Sequence, residues 1–250
     1  ESASIPGSVK TLPESLFEAD TKLKKVTLGQ GVTRVGRAAF RHCGLTNVSF
    51  PDSITVIGES AFSFCPDLRK VTLPKKLTEI GNSAFSNCQK LGNITIPASV
   101  KKIRNYAFYD CRAMKKITIL NSKTVIEKAA IGYNFDGGKN TTLVIAGKKG
   151  STAQTYAKKY GFRFLGSTAT VKTTKITGVP KTKAITKGKT FTIKAVAVPN
   201  YSDERIVFKS SNTKIATVNS SGVVKGIRKG TATITVQSGS QKQTCKVTVK

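Results

Sequence analysis

The sequence predicts a mainly β protein with short helices: a solenoid of stacked coils over residues 1–165, a linker at 166–170, and an antiparallel β-sandwich over 171–250. Three observations predict it. Ala-Phe recurs at Ala39-Phe40, Ala61-Phe62, Ala84-Phe85 and Ala107-Phe108, with Leu16-Phe17 in the same place, so the phenylalanines are 23, 22, 23 and 23 residues apart. Three residues after each comes Asp20, Cys43, Cys65, Cys88 or Cys111. Beyond Leu165 the period vanishes, and short alternating runs broken by turn residues replace it. Many columns sharing one period mark a repeat architecture, in which a single coil cannot bury its apolar face and neighbours must stack.

Taken in order, the chain enters inside a unit. Ile5-Pro6-Gly7-Ser8-Val9 parallels Ile96-Pro97-Ala98-Ser99-Val100, and the strand that should precede Ile5 is expected to be largely missing. Each following unit carries an alternating run: Leu23-x-x-Val26-x-Leu28, Leu45-x-x-Val48-x-Phe50, Leu68-x-x-Val71-x-Leu73, Leu91-x-x-Ile94-x-Ile96 and Met114-x-x-Ile117-x-Ile119. Alternation puts one set of side chains inward and the other outward on a short strand. Pro51, Pro74 and Pro97 stop three of these strands, because proline cannot donate the next ladder bond. A second apolar pair follows, such as Ile54 with Ile57 or Leu77 with Ile80, then usually a glycine. The Ala-Phe to Cys segment reads as a short helix or turn that tucks Phe and Cys inward. At the far end Ala130-Ile131 replaces Ala-Phe and Phe135-Asp136-Gly137-Gly138 breaks the period. A last strand at 142–146 leads to Ser151 or Thr152 as N-cap of a helix over 153–160, stopped by Gly161, and 162–165 adds a closing strand.

These residues resemble the BspA-like leucine-rich repeats of bacterial surface proteins, most closely at Leu68–Cys88 and Leu91–Cys111, with Gly150–Phe164 also similar. The resemblance covers about 5–165. It implies a curved right-handed solenoid with parallel strands on its concave side.

In the second part, strands are expected at Phe191–Val198, Ile206–Lys209, Ile215–Val218, Val223–Ile227, Thr231–Gln237 and Thr244–Val249. Gly188, Pro199-Asn200, Ser220-Ser221-Gly222 and Gly230 punctuate them, the spacing of a sandwich. Ser210-Ser211-Asn212, Ala216-Thr217-Val218, Gly222-Val223-Val224 and Lys229-Gly230-Thr231-Ala232 look like the group 2 bacterial immunoglobulin-like domain, with Phe208 where that family often has Trp. The resemblance implies an extracellular spacer. With no sorting motif before Lys250, a wall anchor is expected outside these residues, and localisation is expected at the bacterial cell surface or outside the cell.

The five cysteines are read as buried free thiols. Cys43, Cys65, Cys88 and Cys111 share one column and stack at about 4.8 Å, whereas a disulfide wants Cβ atoms about 3.8 Å apart. The column lacks C-x-x-C pairs and neighbouring histidines, so no metal site is expected. Cys245 alternates with Val247 and Val249 as a core residue.

No catalyst is expected and no cofactor. His42 is the single histidine, and its neighbour Cys43 is needed inside. The carboxylates form no repeated pair of the kind glycoside hydrolysis needs. Gly137-Gly138-Lys139 lacks the rest of a phosphate loop. What remains is charge. Lys+Arg 42 against Asp+Glu 13 gives +29, split as 26 against 11 through Leu165 (+15) and 16 against 2 beyond it (+14). Such a field attracts polyanions without specifying them. Nucleic-acid readers add stacking aromatics, and the outward strand columns have none, so no specific nucleic acid is expected. The candidate surface is the strand face turned away from the core: Lys25, Asn47, Lys70, Asn93 and Lys116 in one column, Thr27, Ser49, Thr72, Thr95 and Thr118 in the other. Expected partners are host extracellular proteins, anionic glycans or wall polymers, met by a monomer with no transmembrane segment. The alternative is a purely structural display module whose binding element lies elsewhere.

Overall fold

The alternating runs become short parallel strands because their inward residues have a shared core to enter. In the computed structural model, residues 1–166, 171–200 and 202–250 are described, and the chain divides into two units, Glu1–Thr168 and Ala169–Lys250. Of the linker expected at 166–170, only Gly166 falls among the described residues. In the first unit the strands Lys25–Leu28, Asn47–Ser49, Lys70–Thr72, Ile94–Ile96 and Lys116–Ile119 recur once per coil. They form parallel pairs in register, Asn47 opposite Lys70 and Ile94 opposite Ile117, in separate short sheets. Their inward residues, among them Val26, Val48, Val71, Ile94 and Ile117, are buried.

One expectation is corrected at the start of the chain. Ser2–Ile5 is a strand, pairing Ser2 with Lys25 and Ile5 with Leu28. It escaped notice because its inward positions are Ala3 and Ile5, the small Ala3 standing where later coils carry valine or isoleucine.

A second parallel ladder, absent from the sequence reading, runs along another side: Arg34–Val35, Val56–Ile57, Glu79–Ile80, Lys102–Ile103 and Val125–Ile126. The column Val35, Ile57, Ile80, Ile103, Ile126 is its signal, but two residues are too few to show alternation. The Ala-Phe segments form a third ladder. The amides of Phe17, Phe40, Phe62, Phe85 and Phe108 each donate to a carbonyl of the next coil, at 2.8 Å. These segments are turns and not helices. Two left-handed residues per coil, such as Ser60 (φ 52°) and Phe64 (φ 57°), interrupt any helical run.

Inside the turns the phenylalanines stack face to face, with centroids 5.5, 5.1, 5.3 and 5.5 Å apart from Phe17 through Phe108. Beside them each thiol donates to the carbonyl of a phenylalanine: Cys43 to Phe17, Cys65 to Phe40, Cys88 to Phe62 and Cys111 to Phe85, at 3.0–3.2 Å. All five cysteines are free and buried. Burial pushes Cys43 up to about 11 and Cys65 to about 12, and Cys88 and Cys111 are also raised. A thiol reagent at pH 8 is therefore expected to label none of the column cysteines in the native protein and all of them in denaturant. Stoichiometric labelling of the folded protein would contradict the burial.

The single 22-residue step has a local cause. Cys43-Gly44-Leu45 is one residue shorter than Cys65-Pro66-Asp67-Leu68, and the tightened loop presses Gly44 against the Thr21 carbonyl, where a Cβ would not fit.

The far end closes as expected. Val144–Gly147 pairs with Lys116–Ile119, and Arg163–Leu165 pairs with Val144–Ala146, both parallel. Between them lies the one α-helix among the described residues, Thr152–Tyr160. The Ser151 side chain accepts from the Gln154 amide, and Gly161 ends the helix at φ 72°. Ala153, Tyr156 and Ala157 bury against the core, and the Tyr156 hydroxyl donates to the Ile131 carbonyl at 3.0 Å.

The second unit holds a four-stranded sheet (Thr182–Ile185, Gln241–Val249, Gly230–Ser238, Val207–Ser210) and a three-stranded one (Thr190–Thr192, Val223–Gly226, Ala216–Val218). They share a core of Ile193, Val224, Ile234, Val236, Cys245 and Val247. Pairing is antiparallel except where Thr182–Ile185 lies parallel to the last strand. The run expected as one strand over 191–198 is two: Thr190–Thr192 pairs with Val223–Gly226, the Ile193 amide extends that ladder to the Gly222 carbonyl, and the chain then leaves this sheet. Its second half, Val196–Val198, pairs instead with Lys175–Thr177. Among the described residues, no helix is long and apolar enough to cross a membrane.

Candidate functional site

On the outward strand face the structure exposes Lys25, Thr27, Asn47, Ser49, Lys70, Thr72, Asn93 and Thr95. Alternation alone places them there, since their neighbours Val26, Val48, Val71 and Ile94 are held in the core. Lys116 and Thr118 depart from the expectation. They are only 3% and 4% exposed. The register sets Lys116 beside Val144 and Thr118 beside Ala146, both also buried, so the polar face gives way to a close-packed apolar one at this end. Asn93 has a structural task as well: its side-chain oxygen accepts the backbone amides of Lys115 and Lys116, at 3.2 and 2.8 Å.

The accessible cations are grouped. Lys24-Lys25 and Arg69-Lys70 begin strands two coils apart, with Thr46-Asn47 between them. Parallel strands separated by about 4.8 Å set the two basic pairs about 10 Å apart. Asp67 tempers this patch. The hydrogen bond from Lys90, at 2.7 Å, is the main reason its carboxyl lies below the usual range, and Lys24 stands 4.0 Å away.

Four further carboxylates on the solenoid are engaged as ion pairs: Glu14 with Arg37 at 2.6 Å, Glu18 with Arg41 at 2.8 Å, Glu79 with Arg104 at 2.7 Å and Glu127 with Lys102 at 2.7 Å. Asp110 is fully buried. Burial alone would raise it, but bonds from Arg112, the Phe135 amide and Gln89 outweigh that and hold it low. It fastens the irregular segment after the last regular coil. His42 is exposed and stacks on Phe64 with centroids 4.6 Å apart, while the neighbouring Cys43 sulfur turns inward to Phe17.

Sequence reasoning missed a second feature, an open groove of about 480 Å³ over the turns, lined by paired serines and by the Glu14–Arg37 and Glu18–Arg41 pairs. Ser60 with Ser63 and Ser83 with Ser86 recur at one spacing, which was the available signal.

The family model for the BspA type leucine rich repeat region matches residues 10–136 in 6 copies, and that for a bacterial Ig-like domain matches 205–250. A leucine-rich repeat protein from Bacteroides capillosus is 35% identical, covering 39% of this chain and 64% of its own, with a TM-score of 0.32. A leucine rich cell surface protein from Faecalibacterium prausnitzii is 18% identical, over 63% of this chain and 62% of its own, with a TM-score of 0.35. A kappa-carrageenase of Pseudoalteromonas carrageenovora is 40% identical over 68 residues, which are 27% of this chain and 17% of that enzyme. This chain thus spans less than two thirds of the length of each of the three.

Proposed function

Because this chain belongs to the BspA type leucine rich repeat family, we propose that it is a non-catalytic, surface-displayed binding protein. Its solenoid takes up anionic macromolecules, such as wall polymers or acidic host glycans, on the outward strand face, and the Ig-like unit serves as spacer. The observation that carries this reading is the pair of exposed basic clusters, Lys24-Lys25 and Arg69-Lys70, linked through the coil between them by backbone bonds from the Thr46 amide to the Lys24 carbonyl and from the Arg69 amide to the Thr46 carbonyl, over a shared core. Fixed cations at a regular interval favour an extended polyanion, and the +29 charge draws it in from a distance.

The test is binding of heparin, polyglutamate and lipoteichoic acid at rising salt. Affinity is expected to fall steeply, since screening shortens to about 8 Å near physiological ionic strength. Lys25→Glu, Arg69→Glu and Lys70→Glu together are expected to weaken binding by about tenfold or more, against less than about threefold for the same change at Lys187, Lys229 and Lys242 of the second unit. Equal effects would reduce the face to generic charge. No binding at low salt would leave the solenoid as a structural display module.

A further inference from the structure

We propose that the groove over the turns is a second binding site, separate from the basic strand face, and that it takes a neutral oligosaccharide. Its walls repeat with the coils. In each turn the outward residue before Ala-Phe and the one after Phe are joined by a backbone bond, Ser63 amide to Ser60 carbonyl and Ser86 amide to Ser83 carbonyl, both 3.0 Å. Their hydroxyls therefore recur along the groove at the coil spacing. At one end the positions carry Glu18 and Arg41, paired at 2.8 Å, with Glu14 and Arg37 alongside at 2.6 Å. One coil beyond the groove, the residues before Ala-Phe and after Phe are Tyr106 and Tyr109, whose rings meet edge to face at 5.5 Å.

Ser63 points to a ligand. It lines the groove, it is 3% exposed as a residue, and its hydroxyl bonds no described residue yet is not sealed from solvent. A hydroxyl so placed can exchange its water for a ligand's hydroxyl. Phe64 adds the apolar element: its ring is 37% exposed, lines the same groove and is held in place by His42 at 4.6 Å. Convergent hydroxyls, two ion pairs able to give and accept hydrogen bonds, and one ring edge suit a polyhydroxylated ring with apolar C–H faces.

The charges decide between ligand classes. In a protein of +29, the two carboxylates and two guanidiniums of this groove cancel, so it has no preference for an anion. An extended peptide would pair with main chain, but the amides of Phe40 and Phe62 beneath the groove are already spent on the neighbouring coil.

The experiment is calorimetric titration of the whole chain with maltotetraose, cellotetraose and the tetramer of N-acetylglucosamine at low and high salt, with amide NMR shifts read at Ser63 and Ser86. At least one sugar is expected to bind with unchanged affinity across salt and to move those signals. Ser63→Leu, which fills the groove, is expected to weaken it by about tenfold or more. Phe64→Ala is exposed enough to keep the fold and is expected to act in the same direction. Lys25→Glu with Lys70→Glu is expected to leave it unchanged, so the two sites fail separately. Silence toward all three sugars, binding that salt abolishes, shifts confined to the strand face, or displacement by an unrelated peptide would each overturn the proposal.

Discussion

Replacing Phe62 with alanine is expected to lower the unfolding free energy of the solenoid by about 3–5 kcal/mol, the range for removing a buried aromatic side chain. Phe62 is fully buried, stacked between Phe40 at 5.1 Å and Phe85 at 5.3 Å, and met edge-on by Phe50 at 5.6 Å. Truncation removes three ring contacts at once, each worth about 0.5–1.5 kcal/mol beyond the area it buries. The cavity would lie mid-column, where coils on both sides are fixed by ladder bonds and cannot collapse into it. Phe17→Ala is the control, since Phe17 is only half-buried and stacks on one ring, and it is expected to cost less than half as much. Urea unfolding followed by circular dichroism measures both. Equal losses would mean that the rings are independent and do not act as a column.

The second large effect is expected at Gly81. A Cβ there would stand 2.6 Å from the Gly58 carbonyl carbon, 2.7 Å from its oxygen and 2.8 Å from the Glu59 amide nitrogen. All three are backbone, so no rotamer change relieves the clash and the coils must separate. Gly81→Ala is expected to cost about 1–3 kcal/mol or more, as overpacking does. It would also strain the adjoining pair of Glu79–Ile80 with Val56–Ile57. Gly92→Ala supplies the contrast. Its nearest neighbour would be the Arg69 carbonyl at 3.4 Å, and its stability is expected to stay within about 0.5 kcal/mol of the parent. Thermal melts compare the two directly, and a neutral Gly81→Ala would show that the coils are looser than their spacing implies.

The sequence declared what repeats and concealed what is short or singular. Phenylalanine, cysteine and the Val-x-Leu strands were legible because each recurs once per coil and each has one environment to satisfy. The Arg34–Val35 ladder was not, because its strands are two residues long and alternation needs at least three. Ser2–Ile5 was hidden by a single small residue, Ala3. The strand face was read correctly as a direction at Lys25, Thr27, Lys70 and Thr72. It failed at Lys116 and Thr118, where the next strand brings Val144 and Ala146 alongside, a fact that alternation within one strand cannot carry. The serine groove was written in the chain as Ser60-x-x-Ser63 and Ser83-x-x-Ser86. Small polar residues in turns nevertheless have many reasons to be there, and only coordinates show that these line one hollow.

The Ala-Phe turns and the two-residue strands bond each coil to the next one period away, and the longer strands add pairs such as Asn47–Ser49 with Lys70–Thr72. Excising residues 66–88 would hand every donor on one side of the cut an equivalent acceptor on the other, whereas a one-residue shift inside a strand would turn it inside out, so a shorter coil is tolerated only where a loop tightens, as at Cys43-Gly44-Leu45. Such a molecule has no continuous range of lengths. It grows or shrinks by integers, in steps of about 4.8 Å, and how far it reaches from whatever holds it is set by counting.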